Sequence, residues 1–320
     1  MRTVASTVVV LAAAGLAQAG SVSGSGSASF FGSVLPITTW NIATDAAATS
    51  TEFGAEGMAF LNGTLYVTHD HDSVRSAGNL VQYTPGAGGN LGAFTRTQFG
   101  SGPAGLWGPE GITFNTSGSG YGSYGAGTSV KLVGVETRGT NSFGVFDTGA
   151  PGSNPADIVL PAPEIDDITW VPSLGLFAAP EEGAGDASNL RFFDGVTMAT
   201  LPGMTALIDG TKGITTVSAA FASQLTGLPV TTSEALIVVS ELKALAVFDT
   251  TGVQIGGTVD LSSYLTGVSE LESVAVDELN NLLYLGDEAG RSIHVVTVPV
   301  PGAVALAGIA LAGVARRRRA

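Results

Sequence analysis

The stretch Glu56-Gly57-Met58-Ala59-Phe60 sets the pattern on which the fold of this chain rests. An acidic residue and a small residue precede alternating apolar positions, and the same order returns as Glu110-Gly111-Ile112-Thr113-Phe114. Further copies stand at 166–170 (DDITW), at 272–276 (ESVAV) and, with Lys212 in place of the acid, at 212–216 (KGITT). These five anchors recur at a mean spacing of 54 residues, which is typical of a repeat architecture.

Each anchor is followed by a second β-rich run that ends in an acid. The runs are LYVTHD (65–70), LVGVE (132–136), LFAAPEE (176–182), LIVVSE (236–241) and LYLGDE (283–288). A third run follows in every copy, for example FGVFD (143–147), and most copies have a fourth, for example DIVL (157–160). Four short strands repeated five times predict an all-β fold, a β-propeller of five four-stranded blades.

Two alternatives stay open for this repeat. A sixth blade would be present if one of the longer copies contained an extra sheet, and a pair of β-sandwiches would also use many short strands. The sandwich does not explain why an acid recurs at the same two places in each copy. The segment 33–42 (SVLPITTWNI) precedes the first anchor and has no partner of its own, so we expect it to close the ring as the outer strand of the last blade.

The repeat predicts where the acids lie. If each anchor begins the innermost strand and the second run pairs with it as a hairpin, both acids of a copy lie at one mouth of the propeller. The anchor acids, which are the candidate metal ligands, are Glu56, Glu110, Asp166, Asp167 and Glu272. The candidates for a second ring around them are His69, Asp70, His71, Glu136, Glu181, Glu241, Asp287 and Glu288.

Clustered carboxylates repel one another and raise one another's pKa. A hard cation relieves that cost, and Ca²⁺ accepts six to eight oxygen ligands in flexible geometry. The sequence therefore predicts Ca²⁺ at this mouth, with no other cofactor. Two alternatives remain: each anchor acid can cap its own blade by accepting backbone N–H bonds, and Lys212 can act as a counter-ion that reduces the need for a metal.

The two ends differ in composition from the body. Residues 1–19 contain Arg2, an apolar run and Ala17-Gln18-Ala19, the layout of a secretory signal peptide. Residues 299–320 contain Pro299 and Pro301, an apolar run from 302 to 315 and then Arg316, Arg317, Arg318 and Arg319. The pattern predicts a short C-terminal transmembrane helix with its arginines on the cytoplasmic side, and a propeller domain at 20–298.

Charge limits the partners of the body. The chain has a formal charge of −14, and the two end segments hold five of its 13 Lys and Arg and none of its 27 acids. The body between them therefore carries −19, which disfavours nucleic acid and anionic polysaccharide as direct partners. The absence of cysteine excludes disulfides, zinc–thiolate sites and cysteine nucleophiles.

The C-terminal 23 residues resemble the PEP-CTERM sorting signal of bacteria that make extracellular polysaccharide, with Val300 where that family usually has Glu. The resemblance implies export, removal of the N-terminal segment by signal peptidase, and recognition of the tail by an exosortase-like enzyme. It also implies an outer-surface or extracellular-matrix location, with a membrane anchor that is transient or permanent. Extracellular polysaccharide is then a candidate partner. A plain C-terminal anchor is the alternative.

The anchors, each followed by a strand that ends in an acid, resemble exported phytase-like and esterase-like propellers and gluconolactonase-type propellers. That resemblance implies that Glu56 and Glu110 bind a divalent metal and that the mouth is a hydrolytic site for phosphoesters, esters or lactones. The sequence contains no Gly-x-Ser-x-Gly, His-Glu-x-x-His or P-loop motif, which are common carriers of catalysis and phosphate binding. A non-catalytic binding, scaffold or matrix protein is therefore preferred, with the metal-dependent hydrolase as the alternative.

Overall fold

A computed structural model describes most of the body of the chain. The described residues are 17–18, 21–42, 54–69, 79–98, 110–116, 131–136, 142–147, 156–159, 165–181, 189–194, 200–204, 207–265, 267–268 and 270–299.

Nearly all the regular structure consists of strands. The first seven are β1 (Ala17–Gln18), β2 (Val22–Phe30), β3 (Ser33–Asn41), β4 (Gly57–Leu61), β5 (Thr64–His69), β6 (Asn79–Thr84) and β7 (Ala93–Gln98). The next eight are β8 (Gly111–Asn115), β9 (Lys131–Glu136), β10 (Ser142–Asp147), β11 (Ala156–Val159), β12 (Thr169–Val171), β13 (Leu176–Glu181), β14 (Asn189–Asp194) and β15 (Thr200–Met204). The last part comprises β16 (Thr211–Ser218), α1 (Ala219–Thr226), β17 (Glu234–Ser240), β18 (Ala244–Asp249), β19 (Val259–Asp260), β20 (Ser273–Asp277), β21 (Leu282–Asp287) and β22 (Ser292–Thr297).

The described strands form five antiparallel sheets, and each sheet starts from one anchor of the repeat. Their strand orders are β1-β7-β6-β5-β4, β11-β10-β9-β8, β12-β13-β14-β15, β16-β17-β18-β19 and β2-β3-β22-β21-β20. The anchor strands contact one another in a closed cycle, from β4 through β8, β12 and β16 to β20 and back to β4. This arrangement is an all-β propeller, as the repeat predicted.

The last sheet joins the two ends of the described chain. Strand β3 pairs with β22, with Thr39 opposite His294, so the segment 33–42 lies next to β22 as expected. The Thr39 hydroxyl also lies 2.9 Å from His294 Nδ1, and burial lowers the pKa of His294 to about 4. These contacts give His294 a structural role.

Two sheets contain more than the four strands predicted for each blade. Strand β2 pairs with β3 at the edge of the last sheet, and β1 pairs with β7 at the edge of the first. Strand β2 (VSGSGSASF, 22–30) consists mainly of Gly and Ser, which have little preference for β-strands. Its pairing with β3 was therefore not expected. Strand β1 belongs to the predicted signal peptide.

The core lies between neighbouring sheets. One large cluster joins the fourth and fifth sheets and includes Ile237, Leu283 and Leu285, all with no exposed surface. A second joins the fifth and first sheets and includes Tyr83 and Tyr284. Because each sheet packs on both faces, a strand such as β21 is buried along its whole length and its sequence is a continuous apolar run.

The glycine of the Glu-Gly anchors is required by this packing. A Cβ at Gly57 would overlap the backbone oxygen of Glu110, and one at Gly111 would overlap the Cα of Asp167. Each glycine therefore lies directly against the anchor of the next sheet. The glycine of each Glu-Gly pair is thus required for packing between sheets, independently of what the glutamate binds.

Helix α1 lies in the connection between β16 and β17. Ser218 caps it by accepting a hydrogen bond from the N–H of Phe221, and Gly227 ends it in the left-handed conformation, both common helix boundaries. No helix within the described ranges is long and apolar enough to cross a bilayer. The predicted transmembrane helix at 302–315 lies outside those ranges.

Candidate metal centre at the acidic mouth

Carboxyl side chains from several sheets converge on one cavity of about 210 Å³, which we call the acidic mouth. It lies at the N-terminal ends of the anchor strands. Its lining consists of Glu56, Glu110, Asp166, Lys212, Glu241, Glu270, Glu272 and Glu288.

The repeat explains most of this set. Glu56, Glu110 and Glu272 each stand directly before an anchor strand, and the cycle of anchor strands brings those positions around a common axis. Glu241 and Glu288 follow the second strand of their sheets, which runs antiparallel to the anchor strand. In the fourth and fifth copies, the residue before the anchor strand and the acid after its partner strand therefore meet at the same mouth, as Lys212 with Glu241 and Glu272 with Glu288.

Three of these carboxylates form a compact group suited to a cation. One carboxylate oxygen from each of Glu270, Glu272 and Glu288 can be chosen so that the three lie within 4.8 Å of one another, and all three residues are half-buried. We call this group the glutamate triad. Oxygen ligands at such separations can be shared by one hard divalent ion.

The electrostatics of the mouth are dominated by burial and negative charge. Burial raises the pKa of Glu272 to about 8, and the charges of Glu288, Glu270 and Asp166 act in the same direction. Lys212 opposes them. In the absence of a cation Glu272 is therefore protonated at neutral pH, because an additional negative charge is costly in this position.

Lys212 neutralises one part of the mouth. Its Nζ lies 3.2 Å from Asp166 Oδ1, and both side chains are mostly buried. The counter-ion alternative raised by the sequence is thus observed for Asp166. Seven carboxyl groups face one ammonium group in the lining, so a large excess of negative charge remains beside the glutamate triad.

Asp167, one of the metal ligands predicted from the sequence, does not line the acidic mouth. It is fully buried, and its carboxylate accepts hydrogen bonds from the N–H groups of Ile168 and Ile214, each at 2.8 Å. Burial raises its pKa well above the ordinary value. Because Ile214 belongs to the next sheet, Asp167 joins two sheets. The capping alternative therefore holds for Asp167, whereas its neighbour Asp166 lines the mouth.

Two members of the proposed second ring also have other roles. Glu181 forms an ion pair with Arg191 on the neighbouring strand. Asp287 is buried and accepts hydrogen bonds from the Gly290 N–H at 2.8 Å and the Ser292 hydroxyl at 3.3 Å. The contacts of Asp287 fix a turn after β21. Neither Glu181 nor Asp287 lines the acidic mouth, whereas Glu241 and Glu288 line it directly instead of forming an outer ring.

Several sequence candidates lie beyond what the structure describes. Asp70 and His71 are outside the described residues, as are Pro301 and Arg316 to Arg319. His69 and Glu136 end β5 and β9, but their side chains are not among those described. Pro299 is described and half-buried, two residues after β22.

Glu270 was missed by the sequence reasoning. It precedes the fifth anchor by two residues, as Glu164 precedes the third anchor, whereas the other three copies have glycine at this position. A search restricted to the repeated positions therefore passes over it. The alternating acids in Glu270-Leu271-Glu272 are the one available signal, since residues two apart in an extended chain point to the same side.

Comparison with known proteins supports the fold and leaves the chemistry open. The chain matches no known family model and no curated protein sequence. Its structure is similar to that of the Myxococcus xanthus glutaminyl cyclase, with a TM-score of 0.50 and 11% identity over 77% of this chain and 91% of the other. A structure of a nidogen/laminin complex is also similar, with a TM-score of 0.43 and 13% identity over 82% of this chain and 84% of the other.

At this level of identity the likeness to the glutaminyl cyclase concerns the propeller fold alone. The class that fold and site together define is a β-propeller with an acidic mouth at one end of its central channel.

Proposed function

We propose that this chain is an exported binding or scaffold propeller that holds Ca²⁺ at the acidic mouth. We further infer that each of the five sheets is one blade, because the five anchor strands contact one another in a closed cycle. The observation that carries the metal proposal is the glutamate triad within a cavity lined by seven carboxyl groups.

The donor set favours Ca²⁺ over other common ions. All the candidate ligand atoms are oxygens, the chain has no Cys, and no His lines the mouth among the described side chains, whereas Zn²⁺ is usually bound through nitrogen or sulfur. Mg²⁺ demands near-ideal octahedral geometry and retains its water. A group of half-buried glutamates on two backbone segments, Glu270 with Glu272 and Glu288 after β21, fits the flexible, oxygen-rich coordination of Ca²⁺ better.

In this proposal the triad would hold the ion, and Glu56, Glu110 and Glu241 would supply further oxygens. The bound ion would neutralise part of the negative charge of the mouth, and it would keep coordination positions that are open to solvent. Those positions could receive hydroxyl or carboxylate oxygens of an extracellular polysaccharide, which the negatively charged body would otherwise repel.

Isothermal titration calorimetry of the chain with Ca²⁺, Mg²⁺ and Zn²⁺ tests the proposal. We expect Ca²⁺ to bind best, and the double variant Glu272→Gln with Glu288→Gln to lose the binding. Glu234→Gln, which alters a glutamate at the opposite end of the channel, is the matched control and should bind normally. Absence of Ca²⁺ binding, together with an unchanged melting temperature in chelator, would contradict the proposal.

A metal-dependent hydrolase is the second candidate, and Glu272 is the observation that favours it. A carboxyl group with a pKa of about 8 can exchange protons near neutral pH, as a general acid or base must. The test is a panel of ester, lactone and phosphoester substrates. Activity that is present in the unaltered chain and lost in the double variant Glu56→Gln with Glu110→Gln would favour this candidate. Activity that survives both changes would show that the active site lies elsewhere.

The export proposal rests on the two end segments. We propose cleavage after Ala19 by signal peptidase, followed by sorting of 299–320 by an exosortase-like enzyme to the outer surface or matrix. Cleavage there would remove β1 and leave the first sheet with four strands. Replacing Arg316 to Arg319 by Ser in a tagged chain should abolish surface display, and unaltered display would show that the tail is not the address.

A further inference from the structure

A second cavity occupies the end of the channel opposite the acidic mouth. Its volume is about 640 Å³, and we call it the channel funnel. Met58, Ile112, Ile168 and Ile214 line its inner part, and each is at most 1% exposed. These residues occupy the same position in four anchors, so the repeat itself closes the inner end of the funnel with apolar side chains.

The walls of the funnel combine aromatic rings with hydroxyl groups. Phe60, Phe114 and Trp170 lie two residues after Met58, Ile112 and Ile168 in their anchors. Thr113, Thr169 and Thr215 each follow the isoleucine of their anchor directly. Two of the threonines join neighbouring sheets: Thr113 accepts from the N–H of Trp170 and Thr169 accepts from the N–H of Thr216, both at 3.0 Å. Among the described residues, the hydroxyl hydrogen of Thr113 and the hydroxyl group of Thr215 have no hydrogen-bond partner, so both can form hydrogen bonds with a ligand.

The indole of Trp170 supplies a second, independent observation. Trp170 is 5% exposed, and its Nε1–H has no hydrogen-bond acceptor in the described part of the chain. Buried indole N–H groups are normally paired, and an unpaired one is costly. Trp170 lines the funnel, but its Nε1 atom has almost no accessible surface, so an acceptor oxygen of a ligand satisfies this donor once the indole turns toward the funnel.

Charge around the funnel excludes anions. Among the described side chains no Lys or Arg lines it, and Glu234 and Glu278 lie at its rim. Both carboxylates are held by hydrogen bonds from the preceding sheet: the Ser173 N–H donates to Glu234 at 3.0 Å, and the Ser218 N–H and hydroxyl donate to Glu278 at 2.6 Å. Each keeps spare acceptor capacity toward solvent. Phosphates, nucleotides and acidic sugars would be repelled.

We propose that the channel funnel binds a neutral, hydroxyl-rich ligand of the size of one or two sugar units. Its volume lies within the range of small-molecule sites. The apolar faces of such a ligand can pack on Phe60 and Trp170. Its hydroxyl groups can accept from the Trp170 indole and donate to the rim carboxylates. No group in the funnel requires charge on the ligand.

This site is separate from the Ca²⁺ proposal and does not depend on it. The funnel and the acidic mouth share no lining residue. The titrations described below are carried out in chelator, so that failure of metal binding cannot affect them.

Calorimetric titration of the chain with methyl glycosides of glucose, galactose and mannose tests the proposal. Glucuronate, an anionic analogue of glucose, completes the panel. We expect at least one neutral glycoside to bind and glucuronate to bind more weakly. Trp170→Phe keeps an aromatic ring and removes the N–H, and it should weaken binding roughly fivefold.

Trp40→Phe is the matched control. Its indole Nε1 also lacks a hydrogen-bond acceptor, but Trp40 belongs to β3 and does not line the funnel. It should bind like the unaltered chain. Thr215→Val is a second test, because it removes a funnel hydroxyl that bridges no sheets, and it should weaken binding to a similar extent even if Trp170→Phe proves unstable.

Three results would overturn the proposal. One is that no neutral glycoside binds at tens of millimolar concentration. Another is that the affinity is unchanged in both Trp170→Phe and Thr215→Val. The third is that glucuronate binds more tightly than every neutral glycoside.

Discussion

Replacing Glu272 by Gln should make the protein more stable at alkaline pH, although it removes a residue from the acidic mouth. Glutamine has nearly the shape of a protonated glutamate and carries no charge at any pH. The substitution therefore imitates the form that Glu272 adopts in the folded chain below its pKa of about 8.

The magnitude follows from proton linkage. Between the ordinary pKa of 4.5 and the folded-state value of about 8, the unfolded chain releases this proton while the folded chain retains it. The unfolded state then binds fewer protons, so the free energy of unfolding falls as pH rises. At 1.36 kcal/mol per pKa unit, the loss reaches at most about 5 kcal/mol. It is absent below 4.5 and complete above 8.

The assay is urea unfolding followed by circular dichroism from pH 5 to pH 9, in chelator, for the unaltered chain and for Glu272→Gln. The two should have similar free energies of unfolding near pH 5, and the variant should gain by several kcal/mol by pH 8. Glu234→Gln is the control and should show no such divergence. Saturating Ca²⁺ should reduce the gap at pH 8, because an ion bound by the ionised triad favours the folded state.

A pH-independent difference between the two proteins would refute the reasoning. So would a variant that becomes less stable than the unaltered chain as pH rises. Either result would show that Glu272 is not held protonated by burial and by its acidic neighbours.

Three further predictions concern packing and charge. Gly111→Ala should lower the free energy of unfolding in urea by about 2 kcal/mol, because its Cβ would overlap Asp167. Gly26→Ala, whose Cβ would meet no atom within 4 Å, should change it by at most about 0.5 kcal/mol. Equal losses in the two variants would contradict the packing argument. Asp167→Ala should cost about 3 kcal/mol because two buried N–H groups lose their acceptor, and a normal melting temperature would count against this. Lys212→Gln should tighten Ca²⁺ binding about tenfold in calorimetry by removing a positive charge from the mouth, and weaker binding would show that Lys212 supports the site.

The sequence was sufficient for the architecture because a propeller repeats a local pattern. The anchor strand, its hairpin partner and the turn residues recur within each copy, and apart from β1, β2 and β3 the strands of every sheet are consecutive in the chain. Even the closing strand at 33–42 could be inferred, because β22 needs a partner and no other segment was left. The extra strand β2 escaped, since its Gly and Ser pattern carries almost no strand preference.

The site could be predicted only in part. The sequence placed Glu56, Glu110 and Glu272 at one mouth, because each begins an anchor strand. It could not separate Asp166 from Asp167, two adjacent acids that point to opposite sides of an extended chain. One pairs with Lys212 in the mouth, and the other is buried against Ile214.

What the sequence by itself determined is therefore the repeat: its period, its strand order and the end of each copy at which acids accumulate. Those features follow from covalent spacing and from the alternation of side chains along a strand. Only the tertiary structure decided which acids share a cavity and that Glu270 completes a triad with Glu272 and Glu288. It also decided that Trp170 lines a funnel while its indole N–H has no acceptor among the described residues. Such properties depend on distances between residues of different sheets, and no local pattern encodes them.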